Sequence, residues 1–344
     1  MPKRAARVTL ACFVVLLAAC VAAPSVTESP AGSAQPSEAS PSTEGTSSPP
    51  ASPPAWNHPA EGLAVVRFPD PASPVSHVFV IGADGQAQQV TGVSRESTGA
   101  DYPRWSPDRS QLAVGPAKIG ATRNEIVIAN ADGSDERVIT EGLKAWWSPG
   151  GTRLLVESWD YVRDLPVPLR VVNLARQRER EIADGFNGQW LDEGTIGLQQ
   201  DTSVFMVSTG GEARELPQLA GAEPHWSPDG SSLLFVLEGT IYLADADGSG
   251  ARALVDGFAP VWSPDGTRFA FGAGMNEEAI PLLAVADLDG NVHWSGVPGS
   301  DVTWSPDGTR LAAGVPIPDT TVRVVDASSG QVLWEEAGMH PAWS

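Results

Sequence analysis

The sequence predicts an all-β protein, a seven-bladed β-propeller of four-stranded blades whose ring is closed non-covalently by a terminal strand. Three observations lead to this prediction: a tryptophan phrase that recurs along the chain, short apolar strands between its copies, and Asp-Gly turns between those strands. A repeat of about 40 residues that contains several short strands is typical of propeller blades. We assign the propeller to residues 56–344.

The repeat itself is centred on tryptophan. Five copies read Trp-Ser-Pro followed by Asp or Gly, a sixth is the degraded Trp190-Leu-Asp-Glu-Gly194, and a seventh is Trp343-Ser344. The intervals between the tryptophans are 42, 43, 36, 36, 42 and 39 residues. A large aromatic side chain at one fixed place in each blade is suited to packing between neighbouring blades. We therefore predict a structural role for Trp105, Trp147, Trp190, Trp226, Trp262, Trp304 and Trp343.

Within each repeat, two apolar strands are separated by an acidic glycine turn, as where Ile241–Leu243 leads into Asp245-Ala-Asp-Gly248. Asp-Gly is a favoured turn in a β-hairpin. The alternative is a calcium loop, but the glycine comes too early for an EF-hand and no glutamate closes the loop. We therefore interpret these aspartates as turn residues and predict neither a metal nor a cofactor.

One blade must join the two ends of the propeller. Pro54-Ala-Trp56 and Pro341-Ala-Trp343 both fit the phrase of an inner strand, although the ring has room for only one of them. We predict that the C-terminal copy pairs beside residues 63–90 and closes the ring.

The N-terminal segment predicts export. Residues 1–20 combine a basic start with an apolar stretch, Val8–Ala19, that is too short to span a bilayer. The run Leu-Ala-Ala before Cys20 resembles a bacterial lipobox, so we expect a signal peptide and a lipid, such as palmitate, on Cys20. An ordinary secretory signal or an uncut membrane anchor are the alternatives. Residues 21–55 are rich in Ser and Pro, which predicts a disordered tether. The expected location is extracytoplasmic, lipid-anchored to the bacterial cell membrane.

The charge excludes one class of partner. The chain has 42 acidic and 22 basic residues, a net charge of −20. A strongly acidic protein is unsuited to bind nucleic acid or to lie flat on anionic lipid. We therefore predict no nucleic-acid partner and a membrane link only through the lipid on Cys20.

The repeat also resembles a known family. Pro-x-Trp-Ser-Pro-Asp-Gly, an apolar strand and then Asp-x-Asp-Gly resembles the WD-like repeat of the TolB family of propellers, and it is similar to the repeat in propeller domains of prolyl-oligopeptidase-type peptidases. The resemblance covers the seven repeats and implies the propeller fold. It departs from TolB, which resembles a six-bladed propeller behind a separate N-terminal domain, so a role in the Tol–Pal system is not implied.

Candidate binding residues lie on the face where the connections between the repeats vary. The loop from Glu157 to Asp164 contains Trp159, Tyr161 and Arg163, residue types that anchor protein and sugar contacts. Alternatively, Trp159 packs locally beneath its own loop. The entries of the inner strands are expected to face the mouth of the central channel, where they either bind a small polar ligand or ion or line a water-filled channel. These residues are Tyr102, Lys144, Asn187, Glu223, Asp301 and His340.

The sequence contains no recognisable catalytic motif. There is no Gly-x-Ser-x-Gly elbow, and the five histidines are scattered. We therefore predict a protein that is not an enzyme: a non-catalytic, membrane-tethered lipoprotein whose propeller binds a protein or glycan partner in the cell envelope. The main alternative is a propeller enzyme of lyase, cyclotransferase or hydrolase type, with a metal or carboxylate–histidine site at the channel mouth. That site would draw on Glu223, His225, Asp301 and His340. A small-ligand sensor is the third possibility.

Overall fold

The computed structural model describes residues 57–58, 60–68, 75–91, 100–116, 124–160, 165–315 and 320–343. The predicted signal peptide, Cys20 and the predicted tether lie outside these residues. A single 3-10 helix, Pro217–Leu219, accompanies the strands. The described residues contain no helix that is both long and apolar enough to cross a membrane. The strands in chain order are β1 (Leu63–Arg67), β2 (His77–Ile81), β3 (Ala87–Gln89), β4 (Ala100–Trp105), β5 (Gln111–Pro116), β6 (Glu125–Asn130), β7 (Arg137–Glu141), β8 (Lys144–Trp147), β9 (Arg153–Asp160), β10 (Leu165–Asn173), β11 (Arg178–Ala183), β12 (Phe186–Trp190), β13 (Thr195–Gln200), β14 (Ser203–Ser208), β15 (Ala213–Glu215), β16 (Glu223–Trp226), β17 (Ser232–Leu237), β18 (Thr240–Asp245), β19 (Arg252–Asp256), β20 (Phe258–Trp262), β21 (Arg268–Met275), β22 (Pro281–Asp287), β23 (Val292–Pro298), β24 (Ser300–Trp304), β25 (Arg310–Val315), β26 (Thr321–Asp326), β27 (Val332–Ala337) and β28 (Met339–Trp343).

These strands form seven antiparallel sheets of four, which confirms the predicted seven-bladed propeller. Blade 1 has the order β28-β1-β2-β3 from the inside outward, and blade 2 has the order β4-β5-β6-β7. Blades 3 to 7 repeat the pattern, beginning at β8, β12, β16, β20 and β24. Inner strands of neighbouring blades contact one another, as β28 does with β4 and β24.

The C-terminal strand closes the ring, as predicted. β28 pairs with β1 through Leu63–Trp343 and Ala64–Ala342, so the last strand of the chain completes the first blade. Ala342 and Trp343 are both buried, each in a cluster that joins blade 1 to a neighbouring blade. Because no covalent bond joins the two ends of the ring, its closure depends on this pairing and packing.

The hydrophobic core is divided among the junctions between blades. One cluster combines Ile126 and Ile128 of blade 2 with Trp147, Leu154 and Val156 of blade 3. The remaining clusters likewise combine residues from neighbouring blades. Burial between blades, where apolar surface is removed from water on both sides, therefore holds the ring together.

Four of the seven repeat tryptophans link their blade to the one before it through the indole. At four junctions the indole Nε1 donates a hydrogen bond to the carbonyl of the residue before the preceding repeat tryptophan. The four bonds, 2.7–3.1 Å long, are Trp147 to Arg104, Trp190 to Trp146, Trp262 to His225 and Trp304 to Val261. Trp343 instead donates to Glu61 of its own blade, and the buried Nε1 of Trp105 has no hydrogen-bond partner among the described residues. The two junctions of blade 1 therefore lack this link.

The acidic turns are held by their own hydrogen bonds, as predicted. In the Ser-Pro-Asp-Gly turn of blade 5, the Ser227 hydroxyl and the Ser231 amide both donate to Asp229 Oδ1, at 2.6 and 3.0 Å. In the hairpin turn of blade 6, Asp287 Oδ1 accepts bonds from the amides of Asp289 and Asn291, at 3.0 and 2.9 Å.

These turns lie on one face of the ring, which we call the turn face. The strand order places the starts of the inner strands on the opposite face, which we call the mouth face.

Candidate functional site

Seven equivalent residues surround the mouth of the channel. Each lies three residues before a repeat tryptophan, near the start of an inner strand. Six of them are the channel residues predicted from the sequence, and the seventh is Ala259 of blade 6. In ring order from blade 1 the seven are His340, Tyr102, Lys144, Asn187, Glu223, Ala259 and Asp301.

Five of these seven residues, all of them within the described chain, have a left-handed backbone. In the same five blades the register between the inner strand and its neighbour shifts next to the residue, whereas it stays regular at Lys144 and Glu223. A bulge of this kind turns a side chain away from the regular direction of the strand and is common next to functional sites. The five φ angles are 49° at Tyr102, 53° at Asn187, 47° at Ala259, 49° at Asp301 and 45° at His340.

His340 lies at the centre of the polar contacts. Its Nδ1 contacts the carboxylate of buried Asp101, and its Nε2 lies 3.8 Å from Asp301 Oδ2. The imidazole stacks on the ring of Tyr102, with centroids 4.9 Å apart and planes at 17°. The hydrogen bond to Asp101 raises the pKa of His340 above its ordinary value against the opposing effect of burial, and Asp301 adds to the rise.

A second set of contacts extends from Tyr102 to blades 3 and 4. The ammonium of Lys144 lies 5.1 Å from the centroid of the Tyr102 ring. Burial raises the pKa of Glu157, while the charge of Lys144 and a 3.1 Å hydrogen bond from the Asn187 amide act in the opposite direction. The Asn187 side chain donates to Gln199 Oε1 at 2.8 Å. Together with His340 and its partners, these residues form a polar arc across blades 7, 1, 2, 3 and 4.

Arg104 adds a third cation to this arc. Burial lowers its pKa, and the charges of Asp301 and Asp101 act in the opposite direction. The arc thus combines the basic groups Arg104, Lys144 and His340 with the carboxylates of Asp101, Glu157 and Asp301. Such an arrangement offers hydrogen-bond donors and acceptors side by side, which suits a polar ligand.

Four members of the arc were not predicted as channel residues from the sequence: Asp101, Arg104, Glu157 and Gln199. Asp101 and Arg104 flank the predicted Tyr102 in β4, and Glu157 pairs with the predicted Lys144. Inspecting the charged neighbours of each channel residue would have found these three. Glu223 lies on the next blade, with an exposed side chain.

The structure does not describe the side chains that were predicted to bind a partner from the loop between Glu157 and Asp164. Trp159 lies in β9 opposite Pro166, but its side chain is outside the described part of the structure. Tyr161 and Arg163 lie outside the described residues altogether. Their binding role stays a prediction.

A pH dependence of stability follows from the raised pKa of His340. A histidine whose pKa is higher in the folded state contributes stability that is fully present below its unfolded value of about 6.5 and is lost as the pH rises through the folded value. We expect the difference in unfolding free energy between the wild type and H340Q to be larger at pH 6 than at pH 9, measured by urea denaturation. Burial lowers the pKa of His225 to about 4, an effect present in both proteins that cancels in the comparison.

The control for this prediction is H293Q, because His293 is half-exposed and lies 3.7 Å from Asp287 on the outer part of blade 6. Its stability difference from the wild type should change less between the two pH values. A difference for H340Q that is constant with pH would contradict the assignment of the Asp101–His340 pair as a charged contact.

The architecture and the polar arc define the class of protein: a β-propeller with a polar channel mouth. No protein-family model and no curated protein sequence matches the chain. Among solved structures it is similar to TolB from Acinetobacter baumannii, with a TM-score of 0.52 and 17% identity over 82% of this chain and 66% of that one. The fold is therefore TolB-like, in agreement with the repeat motif.

Two enzymes have similar folds. Oligogalacturonate lyase from Vibrio parahaemolyticus gives a TM-score of 0.55 and 17% identity over 80% of this chain and 86% of that one. A prolyl endopeptidase gives 0.58 and 13% over 83% and 52%. The chain thus spans about half the length of the prolyl endopeptidase and just under two thirds of TolB.

These neighbours correct one prediction. The conclusion that the chain is not an enzyme was wrong, because it rested on the lack of a contiguous motif, and similar propellers include enzymes. Groups that meet in space need not be close in sequence: Asp101 and His340 are 239 residues apart. The likeness, at 13–17% identity, shows the fold alone and does not decide whether this chain catalyses a reaction. No group of three or more His, Cys, Asp and Glu side chains in the described residues is placed to hold a metal.

Proposed function

We propose that this chain is an extracytoplasmic propeller, tethered to the cell membrane by a lipid on Cys20, that binds a protein or glycan partner of the cell envelope at its mouth face. The observation that carries the binding proposal is the polar arc centred on His340. It joins side chains of five blades in one place, through contacts that span hundreds of residues in sequence.

The chemistry of the arc supports a polar partner. Asp301 and Asn187 are exposed, while His340 and Lys144 are partly buried, so acceptors and donors both reach the opening of the channel. Hydroxyl groups of a sugar or the polar side chains of a protein are suited to such a set, because each ligand group meets a donor or an acceptor.

The membrane tether rests on the sequence. The apolar stretch before Cys20, the run Leu-Ala-Ala and the Ser/Pro-rich segment that follows are the sequence pattern of a lipid-anchored protein with a spacer between its anchor and its domain. Such an anchor would keep the propeller close to the membrane while it searches the envelope.

Site-specific photocrosslinking tests both parts of the proposal. A benzophenone amino acid is placed at Asn187, an exposed residue of the mouth, or at Glu136, an exposed residue of the turn face, in the full-length protein in living cells. We expect a discrete crosslinked product from position 187 and none from position 136, recovered with the membrane fraction. C20A should shift the protein from the membrane fraction to the soluble one.

The crosslinking and fractionation results test binding at the mouth face and the lipid tether separately. A product from position 136 and none from position 187 would contradict binding at the mouth face. C20A that stays in the membrane fraction would contradict the lipid tether. Without a product at either position the binding proposal fails, and the Asp101–His340 pair is then favoured as an acid–base site of an enzyme, because a carboxylate that orients an imidazole is a common acid–base arrangement.

A further inference from the structure

A cavity of about 330 Å³ lies on the turn face between blades 5 and 6, on the opposite side of the ring from the channel mouth. Its walls are the Ser-Pro-Asp-Gly turns of the two blades, with Asp229 on one side, Asp265 and Gly266 on the other, and Trp262. The volume is at the lower end of the range for small-ligand sites.

At other junctions an arginine of the chain itself occupies the equivalent place. The first residue of the second strand of blade 3 is Arg153, whose guanidinium lies 5.1 Å from the ring of Trp190 in blade 4 and contacts the Glu193 carboxylate. The corresponding Arg268 of blade 6 lies 5.3 Å from the ring of Trp304 in blade 7 and donates to the Gly308 carbonyl at 2.9 Å.

The same arrangement extends to the closure of the ring. Arg310 of blade 7 begins the second strand of its blade, and its Nη1 donates to the His58 carbonyl of blade 1 at 3.3 Å. The repeated pattern is thus a guanidinium from one blade that lies against the turn of the next, where it meets a tryptophan face, a carboxylate or a carbonyl.

Blade 5 has Ser232 at this position, and the side chain is too short to reach the next blade. The acceptors are nevertheless present: Trp262 takes the place of Trp304, Gly266 that of Gly308, and Asp265 that of Glu193. An added Cβ at Gly308 would lie 3.8 Å from Arg268 Nη2, whereas one at Gly266 meets only Pro228, at 4.0 Å. The cavity is therefore the space that an arginine fills elsewhere.

The other three junctions without this arginine differ from it. After blade 1, which has Gly62 at this position, Arg109 stands where the next turn would have its glycine. After blade 2, which has Gln111, the next turn is Trp-Ser-Pro-Gly-Gly, so Gly150 stands where the carboxylate would be. After blade 4, which has Thr195, the indole of Trp226 is hydrogen-bonded within its own blade, to the Ala246 carbonyl. Of these four junctions, the one between blades 5 and 6 combines a tryptophan bonded to the preceding blade, the carboxylate, the glycine and the vacant arginine position.

We propose that this cavity binds the guanidinium group of an arginine side chain supplied by a partner protein. A planar guanidinium stacks on an indole face and forms charge-assisted hydrogen bonds with a carboxylate and a carbonyl at the same time. A lysine ammonium lacks the planar fork and fits the set less well. The proposal concerns the turn face and does not depend on the function proposed for the mouth face.

The two carboxylates are ionised at neutral pH. The hydrogen bonds from Ser227 and Ser231 lower the pKa of Asp229 to about 2. Burial raises the pKa of Asp265, but the hydrogen bonds from Ser263 and Thr267 outweigh it and hold the pKa below its ordinary value. A cation that enters the cavity therefore meets negative charge on both sides.

The test uses the full chain labelled with 5-fluorotryptophan and the peptide acetyl-Gly-Arg-Gly-amide, with its citrulline analogue as the uncharged control. The Trp262 signal is assigned with W262F and followed by fluorine NMR. We expect the arginine peptide to shift this signal in a saturable way and the citrulline peptide not to shift it. S232R, which restores the internal arginine, should weaken peptide binding by roughly tenfold or more, and D265N should weaken it as well.

Q111R is the matched control for S232R, because it adds the same charge at the equivalent position of blade 2 and should leave peptide affinity unchanged. Equal binding of the arginine and citrulline peptides, no shift of the Trp262 signal at tens of millimolar peptide, or unchanged affinity in both S232R and D265N would overturn the proposal. None of these results bears on the crosslink at Asn187, so the two proposals fail separately.

Discussion

Removal of β28 by truncation after Gly338 should abolish the stable monomeric propeller. The deletion removes Trp343 and Ala342 from the two clusters that join blade 1 to its neighbours, and loss of a buried tryptophan alone costs about 3–5 kcal/mol. It also leaves the inner edge of β1 unpaired, with backbone N–H and C=O groups that need new partners. This loss is comparable with the whole stability of an ordinary domain, about 5–15 kcal/mol.

The measurement is urea denaturation followed by tryptophan fluorescence, together with size-exclusion chromatography, because an unpaired inner edge favours association between chains. Deletion of Ser344 alone is the control and should leave both readouts unchanged. A peptide of residues 338–344 added to the truncated chain should restore the monomer in part. A truncated chain with wild-type midpoint and elution volume would show that the β1–β28 pairing does not hold the ring closed.

The second large effect is expected for W226A, with a loss of about 3–5 kcal/mol in unfolding free energy. Trp226 is the most buried of the repeat tryptophans, at 1% exposure. Its ring lies against Gly197 of blade 4, where an added Cβ would be 2.4 Å from a ring carbon. Gln189 of blade 4 also bonds both the amide and the carbonyl of Trp226, at 3.1 and 2.9 Å. The residue thus joins blades 4 and 5 through both its ring and its backbone.

A double-mutant cycle with G197A checks this contact. G197A alone should destabilise the protein by about 1–3 kcal/mol through overpacking against the indole. The double variant W226A/G197A should lose less than the sum of the two, because the added methyl group then enters the space left by the ring. Strict additivity of the two changes in urea denaturation would contradict direct packing between these residues.

Much of the fold could be predicted because its information is local and repeated. The tryptophan phrase fixes the number of blades, the Ser-Pro-Asp-Gly turn carries its own hydrogen bonds, and the phrase before Trp343 identifies the closing strand. The hydrogen bond of the Trp226 indole within its own blade was not predictable from the tryptophan phrase, which is the same in blades 6 and 7. It depends on Gly197, in another repeat, which gives the indole room.

The candidate site was predictable only in part, because only part of its information is local and repeated. Tyr102, Asp301 and His340 each lie three residues before a repeat tryptophan, and therefore at the same position of their blades. This spacing predicted that they lie near one another. It did not reveal that Asp101 bonds His340, because the direction of a side chain at a bulge depends on backbone geometry between strands.

The left-handed residues at the channel mouth imply a cost that the protein tolerates. A residue other than glycine loses about 1–2 kcal/mol in this conformation, whereas glycine adopts it freely. Ala259 shows that the backbone keeps the conformation even where the side chain is a single methyl group. The ring of bulges is therefore a property of the scaffold, and the side chains mounted on it are exchangeable. Glycine at all five positions would keep this backbone conformation and give a blank platform onto which new recognition chemistries could be grafted.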